Sequence, residues 1–290
     1  MALLQVVARL RLRLRVVRGR SFALPPCTVI VFNHQSDLDV PAMVTAAFPL
    51  ASWPRHGGRV IFPGRSELFL PGFLALQSGA PDPIGRALFG VSIGPILARL
   101  GVFSVAKAGP RLFAAWVDDL TLACGPYRQI AALFAVDWLY RLRRGGIDST
   151  TPIGAISSWH YRALLRHEVG SEILHQRVSR HLRLRTGRAA SAQFDAMAAL
   201  LRDGYLLVMA PEGQLSPDGR LQPFASGLHQ LLRRAPQTAV LPAGLYYGTG
   251  GVRRTATVRF GPLLHGLAAL PRQQCEAELS RWLRSLSRPG

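Results

Sequence analysis

Between Arg9 and Val17, arginine alternates with leucine and valine. A period of two predicts a strand with its leucines inward and its arginines in solvent. Thr28 to Phe32 is apolar without alternation, as in a strand buried on both faces. Val40 to Phe48, with Pro41 near its start, predicts a helix. Arg59 to Phe62 predicts a strand, Leu88 to Leu100 a helix, and Gly101 to Val105 a strand leading to Lys107. Further on, Phe194 to Arg202 has helical spacing and stops at Asp203-Gly204. Tyr205 to Met209 reads as a buried strand, Phe224 to Arg234 as a helix, and Ala239 to Gly244 and Thr255 to Phe260 as strands. Arg272 to Leu286 reads as a closing helix. Alternating strands and helices mean α/β.

The pattern changes from about Ala108 to His181. Leu112–Leu122, Ile130–Leu142 and Trp159–His175 all carry helical spacing, with Trp116, Trp138 and Tyr140 among the apolar positions. The expectation is one α/β domain over residues 1–290, a mixed β-sheet flanked by helices, with a helical insertion at about 108–182. The insertion serves either as a cap over the core or, with its aromatic and basic residues, as a membrane-interface element.

Composition adds a charge constraint. The chain has 290 residues and a net charge of +19, with 35 basic side chains against 16 acids, and Lys107 is its one lysine. Such an imbalance favours an anionic partner: a membrane surface, nucleic acid or a phosphorylated substrate. Genomic bias toward arginine raises the Arg/Lys ratio but does not readily explain the shortage of acids. Cys27, Cys124 and Cys275 are far apart and form no metal-type pair, which suits a reducing compartment. No run reaches the roughly 18–20 apolar residues of a membrane span, and no cleavage site follows the apolar start, so neither a span nor a signal peptide is expected.

The candidate chemistry begins where the first buried strand stops, in Asn33-His34, with Asp39 five positions on. Sites in open α/β sheets collect at the carboxyl ends of strands. There an imidazole can take a proton from an alcohol, and a carboxylate on its other nitrogen fixes the tautomer. The blander role is a histidine capping a structural turn. Spacing alone decides little: eight histidines among this many acids give about 0.4 such pairs by chance. His167 with Glu172 is one, inside a helical pattern with no strand end.

Two later turns change the weight. Pro211-Glu212-Gly213 follows a second buried strand, and Val240-Leu241-Pro242 ends a third apolar run. Together with Asn33-His34-Gln35-Ser36-Asp37-Leu38-Asp39, these resemble, in the same order, the Asn-His-x4-Asp, Pro-Glu-Gly and strand-Pro blocks of the glycerolipid acyltransferase superfamily. Its best-known members are lysophosphatidate and glycerol-3-phosphate acyltransferases. Phe224 to Gly227 resembles the segment between the last two blocks. The resemblance covers roughly Arg9–Lys107 and Arg185–Leu286.

The resemblance implies a glycerol-3-phosphate acyltransferase-like fold, with His34 as general base and Asp39 holding it. It also implies that Glu212, Gly213 and Pro242 help to seat the acceptor. Two departures stand out. Gln214 replaces the usual threonine after Glu-Gly, and the phosphate-binding block is split between Gly101–Lys107, which ends in lysine, and Arg185-Thr186-Gly187-Arg188. Either Lys107 or Arg185 is then a candidate for the acceptor phosphate, the arginine bidentately and the lysine as a point charge. Each is otherwise a solvated surface cation, and Glu212 otherwise an ordinary turn residue.

The implied activity is transfer of a fatty acyl group from acyl-CoA or acyl carrier protein to a hydroxyl of a glycerol-phosphate lipid, with 1-acylglycerol-3-phosphate as default acceptor. No cofactor or metal is expected. The implied partners are the membrane surface, the lysolipid or glycerol-phosphate acceptor and the thioester donor, at the cytoplasmic face as a peripheral protein. Two competing readings remain. Gly90-Val91-Ser92-Ile93-Gly94 matches a nucleophile elbow, which would make Ser92 a hydrolase nucleophile, with Asp218 and His265 as its candidate partners. Its preceding run, Pro83 to Arg86, is a poor strand. The arginines alone would suit a nucleic-acid binder, but no interleaved aromatics or known module support that, and no nucleic acid is expected.

Overall fold

The computed structural model describes residues 12–17, 24–36, 38–51, 59–77, 81–105, 109–213, 215–216, 220–248 and 254–288. The chain divides into two compact units, Met1–Pro63 with Gln193–Gly290, and Gly64–Ala192. The helical block expected at about 108–182 falls inside the second unit, which also takes in Gly64 onward.

The first unit is built on a mixed sheet. Its strands are β1 (Leu12–Val17), β2 (Thr28–Phe32), β3 (Val60–Arg65), β7 (Leu206–Met209), β8 (Ala239–Gly248) and β9 (Arg254–Phe260). The spatial order is β1-β9-β8-β2-β7-β3; β4 (Val102–Val105) completes the seven beside β3, whose last residues lie in the second unit. β2 pairs in parallel with both β7 and β8, and β8 pairs antiparallel with β9. β2 is therefore interior, which is why all five of its residues are buried and its sequence lacks alternation. Burying one such Val or Ile contributes about 1.5–3 kcal/mol. β1 shows the opposite pattern: Leu12, Leu14 and Val16 turn toward the core, while Arg13 and Arg15 are exposed.

Helix α1 (Asp39–Ala51) follows β2 and buries Ala42, Met43, Val44, Ala46 and Ala47 in the core with Ile30, Phe32, Val208 and Leu241. Its small residues allow the helix to lie close on the sheet. Pro242 sits within β8, opposite Val31 of β2, where a missing N–H usually costs a ladder bond. Its carbonyl faces the β9 side, where it accepts from Gly261 N–H at 2.8 Å just past the end of β9, so its nitrogen faces that side too and the β2–β8 ladder loses no bond. β8 also runs to Gly248, four residues beyond the expected end at Gly244.

The second unit has its own apolar core. Helix α5 (Phe113–Cys124) and helix α6 (Val136–Arg144) contribute Phe113, Trp116, Leu120, Trp138 and Leu142. Phe113 packs against Phe134 and Trp138 with ring centroids 5.6 Å apart in each case. The strands β5 (Arg111–Leu112) and β6 (Glu168–Val169) form a short antiparallel pair. Arg111 is buried, bonded to Asp119 and stacked 3.7 Å from the Trp116 ring centroid.

Several expected helices differ. Leu88–Leu100 is two helices, α3 (Asp82–Phe89) and α4 (Gly94–Arg99), broken at Gly90–Ile93. Ile130–Leu142 is a 3-10 turn followed by α6. Trp159–His175 is not one helix but two 3-10 turns, the four-residue helix α8 (Arg162–Leu165) and β6; Gly170, with an extended backbone, interrupts the spacing. In contrast, Phe194–Arg202 is the end of a 27-residue helix, α9 (Gln176–Arg202). Among the described residues, no helix is long and apolar enough to cross a membrane.

Candidate active site

The carboxyl ends of β2, β7 and β8 lie side by side, and the polar turns after β2 and β7 meet there. The turn after β2 is fixed first by Asn33. Its side-chain amide donates to Leu245 C=O at 2.9 Å, and its side-chain carbonyl accepts from Leu245 N–H at 2.7 Å. A buried amide thus imitates one more strand residue and carries the β2–β8 pairing past Phe32.

His34 comes next. Its Nδ1 lies 2.9 Å from Asp39 Oδ2, and the side chain is 21% exposed while Asp39 is fully buried. Asp39 starts α1, where the helix N-terminus favours negative charge. Oδ2 also accepts from the backbone N–H of Gln35 and, at 2.8 Å, of Ser36; Oδ1 accepts from the Tyr247 hydroxyl. A buried carboxylate is tolerable when its lone pairs are taken up in this way. An acceptor already holding three other donors requires the fourth to be a donor too, so the proton of neutral His34 sits on Nδ1. Nε2 is then the nitrogen with a lone pair to offer. The Phe32 ring meets the imidazole edge-on at 6.2 Å between centroids, which adds an apolar wall to one side.

The turn after β7 is strapped onto this corner. Glu212 Oε1 accepts from His34 N–H at 2.9 Å, and Oε2 accepts from Gln222 N–H at 2.7 Å. Ser216 N–H donates to His34 C=O at 2.8 Å, and Ala225 N–H to Pro211 C=O at 2.9 Å. Burial pushes the Glu212 carboxyl above the usual carboxylate range, with the bonds from Gln222 and His34 pulling the other way. Gly213 has φ +65, a left-handed conformation that favours glycine, and its N–H closes the turn onto Ala210 C=O at 3.3 Å.

The sequence-derived residues are therefore distributed as follows. His34, Asp39, Glu212 and Gly213 converge, and Pro242 lies in β8 beside the strand that carries His34. Both oxygens of Glu212 already hold backbone donors, so its first role is to tie two turns together. Arg185 is exposed on α9 within the second unit. Lys107, Gln214 and Asp218 fall outside the described residues. His167 and Glu172 make separate bonds: His167 C=O accepts from Phe113 N–H at 2.7 Å, and Glu172 accepts from Gly170 N–H at 3.1 Å.

Ser92 lies in the break between α3 and α4, preceded by a helix where an elbow needs a strand. Its hydroxyl is held by Phe69 C=O at 3.4 Å and Gly94 N–H at 3.3 Å. All three thiols are free, and among the described residues no cluster of His, Cys, Asp and Glu is arranged to hold a metal ion.

Tyr247, Ser216 and Gln222 were not signalled by sequence. Tyr247 shares a face of β8 with Leu241, Ala243 and Leu245, so a strand read on from Gly244 to Gly248 would have aimed it at the same corner. Nothing local marks Ser216 or Gln222, since each acts through its own backbone N–H, on His34 C=O and on the Glu212 carboxylate. No family model matches the chain, and no curated protein sequence matches it.

Proposed function

We propose that the chain is an acyltransferase in which His34 removes a proton from a substrate hydroxyl. The observation that carries this reading is the His34–Asp39 pair. A partly exposed imidazole at a strand's carboxyl end is held through Nδ1 by a fully buried carboxylate. That arrangement supports a general base whose tautomer and orientation are set in advance.

In this reading, Nε2 takes the hydroxyl proton as the oxygen attacks the carbonyl carbon of an acyl thioester. The resulting tetrahedral centre collapses with cleavage of the C–S bond. The imidazolium returns its proton to the departing thiolate, so no acyl-enzyme forms. Asp39 stabilises the transient positive charge on His34. The donor is acyl-CoA or acyl carrier protein, and the acceptor is a glycerol-phosphate lipid, with 1-acylglycerol-3-phosphate first among candidates. The acceptor class rests on the Asn-His-x4-Asp, Pro-Glu-Gly and Val-Leu-Pro resemblance and on the excess of arginine. Lys107 or Arg185 is proposed to meet the acceptor phosphate. The same arginines support a peripheral position on an anionic, cytoplasm-facing membrane surface.

The test is to incubate purified protein with acyl-CoA or acyl carrier protein and a panel of lysolipids and glycerol phosphate, and to identify products by mass spectrometry. His34→Ala is expected to abolish transfer while circular dichroism and melting temperature stay close to wild type. A folded variant with full activity would sink the mechanism. A fluorophosphonate probe is expected to leave Ser92 unlabelled.

A further inference from the structure

Apart from Arg185, a candidate for the acceptor phosphate, the solvent face of α9 has no part in the site described above. No acid occurs from Ile173 to Phe194, a stretch that holds Arg177, Arg180, Arg183, Arg185 and Arg188. At a helical period, Arg177, Arg180, His181, Leu184, Arg185 and Arg188 share one side. The opposite side buries Ser179 and Leu182. Arg183 turns away and bonds Ser179 at 3.0 Å, while the other four arginines are exposed and make no ion pair among the described residues. Leu184, in the middle of this face, is 62% exposed. Gly187, Ala189 and Ala192 leave the backbone close to the surface.

We infer that this face docks on a bilayer rich in anionic lipid, an inference that rests on the membrane-surface part of the proposed function and specifies which element makes the contact. Charge complementarity selects an anionic partner. The make-up of the face decides which one. It offers one aliphatic side chain and no aromatic anchor, unlike the apolar centre of a protein–protein interface. It also lacks the Asn and Gln that read base edges in a groove. A row of arginines around a single exposed leucine fits a charged plane with an apolar interior, where the guanidinium groups stay among headgroups and Leu184 enters below them. Nine of the eleven large apolar side chains exposed among the described residues also fall within Gly64–Ala192, the unit that carries this face.

The test is co-sedimentation of the full chain with vesicles of phosphatidylcholine containing about 30% phosphatidylglycerol, against pure phosphatidylcholine. Wild type is expected to bind the anionic vesicles and to lose them as salt is raised. Arg177→Gln, Arg180→Gln and Arg188→Gln together keep good helix formers in place and leave Arg185 intact. They are expected to lower partition by about fivefold each, or about a hundredfold in all. The matched control neutralises Arg13, Arg86 and Arg99, three exposed arginines elsewhere, and is expected to change partition only a few-fold, with Leu184→Gln falling between. Unchanged partition in the triple variant overturns the inference. So does an equal loss in the control, or capture of wild type by duplex DNA or an acidic protein in place of vesicles. Vesicle binding without acyl transfer removes the proposed function and leaves this docking face. Acyl transfer without vesicle binding does the reverse.

Discussion

The Tyr247 hydroxyl donates to Oδ1 of Asp39, the carboxylate oxygen that His34 does not use, across 208 positions of sequence. Because His34 and Tyr247 hold opposite oxygens, the carboxylate cannot rotate without breaking one of the bonds. Tyr247 is thus a positioning residue for the proposed base. Tyr247→Phe leaves Asp39 three donors, so kcat for acyl transfer is expected to fall about three- to tenfold with KM nearly constant. Asp39→Asn presents an amide that cannot accept from all four donors, and kcat is expected to fall about a thousandfold. Steady-state kinetics on the two variants check both, and equal losses would contradict a supporting role for the tyrosine.

Glu212 ties the turn after β7 to the turn after β2, one carboxylate oxygen to each side. Glu212→Ala leaves the N–H groups of His34 and Gln222 without their acceptor. Each loss costs about 1–3 kcal/mol when water cannot replace it. The melting temperature is expected to fall by several degrees, and kcat to fall further than the acceptor's affinity, because the backbone of the proposed base loses its anchor. A variant that raises only the acceptor KM would instead make Glu212 a direct substrate contact.

Much of this frame was legible in sequence, for identifiable reasons. β2 declared itself by an unbroken apolar run because it lies inside the sheet with both its faces buried. β1 declared itself by alternation because one face is wet. The Arg272–Leu286 helix, α11, was legible from end to end because a single apolar stripe carries Cys275, Leu279 and Leu283 into the core. Helix α9 was hidden over its first two thirds. Its arginine-rich stretch buries so little that no apolar period forms, and only its last turns, with Phe194, Met197 and Leu201 buried, carried the signal. Trp159–His175 misled in the other direction: its apolar spacing is helical, but Gly170 breaks the segment into short turns. At the site, the His34–Asp39 spacing was visible while its meaning depended on contacts from β8 and the Glu212 turn. Long-range hydrogen bonds leave no local pattern.

Asn33 presents the backbone of Leu245 with both a donor and an acceptor, so its substitution separates geometry from chemistry. Asn33→Ala leaves one N–H and one C=O of Leu245 buried and unmatched, at a cost of roughly 2–4 kcal/mol in stability. Asn33→Asp keeps the acceptor but turns an anionic oxygen toward Leu245 C=O. Chemical denaturation is expected to rank wild type above both variants, with the aspartate more damaging at neutral pH than in acid, where its carboxyl is protonated. If both variants match wild type in stability, the amide clamp is not holding the β2–β8 corner.

Asp118 offers a test of electrostatics in the second unit, away from the proposed chemistry. Burial, and then the neighbouring charge of Asp119, push its carboxyl above the ordinary range, with Arg111 opposing. A carboxyl raised in the folded state contributes stability that is fully present below its unfolded pKa and is lost as pH rises through the folded value. At neutral pH the ionised Asp118 therefore costs stability. Asp118→Asn removes that cost without changing the size of the side chain and with little change in helix propensity. Melting temperature at pH 7 is expected to rise by roughly 1–2 °C, while wild type and variant converge at about pH 3, where both side chains are neutral. A variant less stable than wild type at pH 7 would mean that Asp118 is held by an attraction stronger than its burial and the charge beside it.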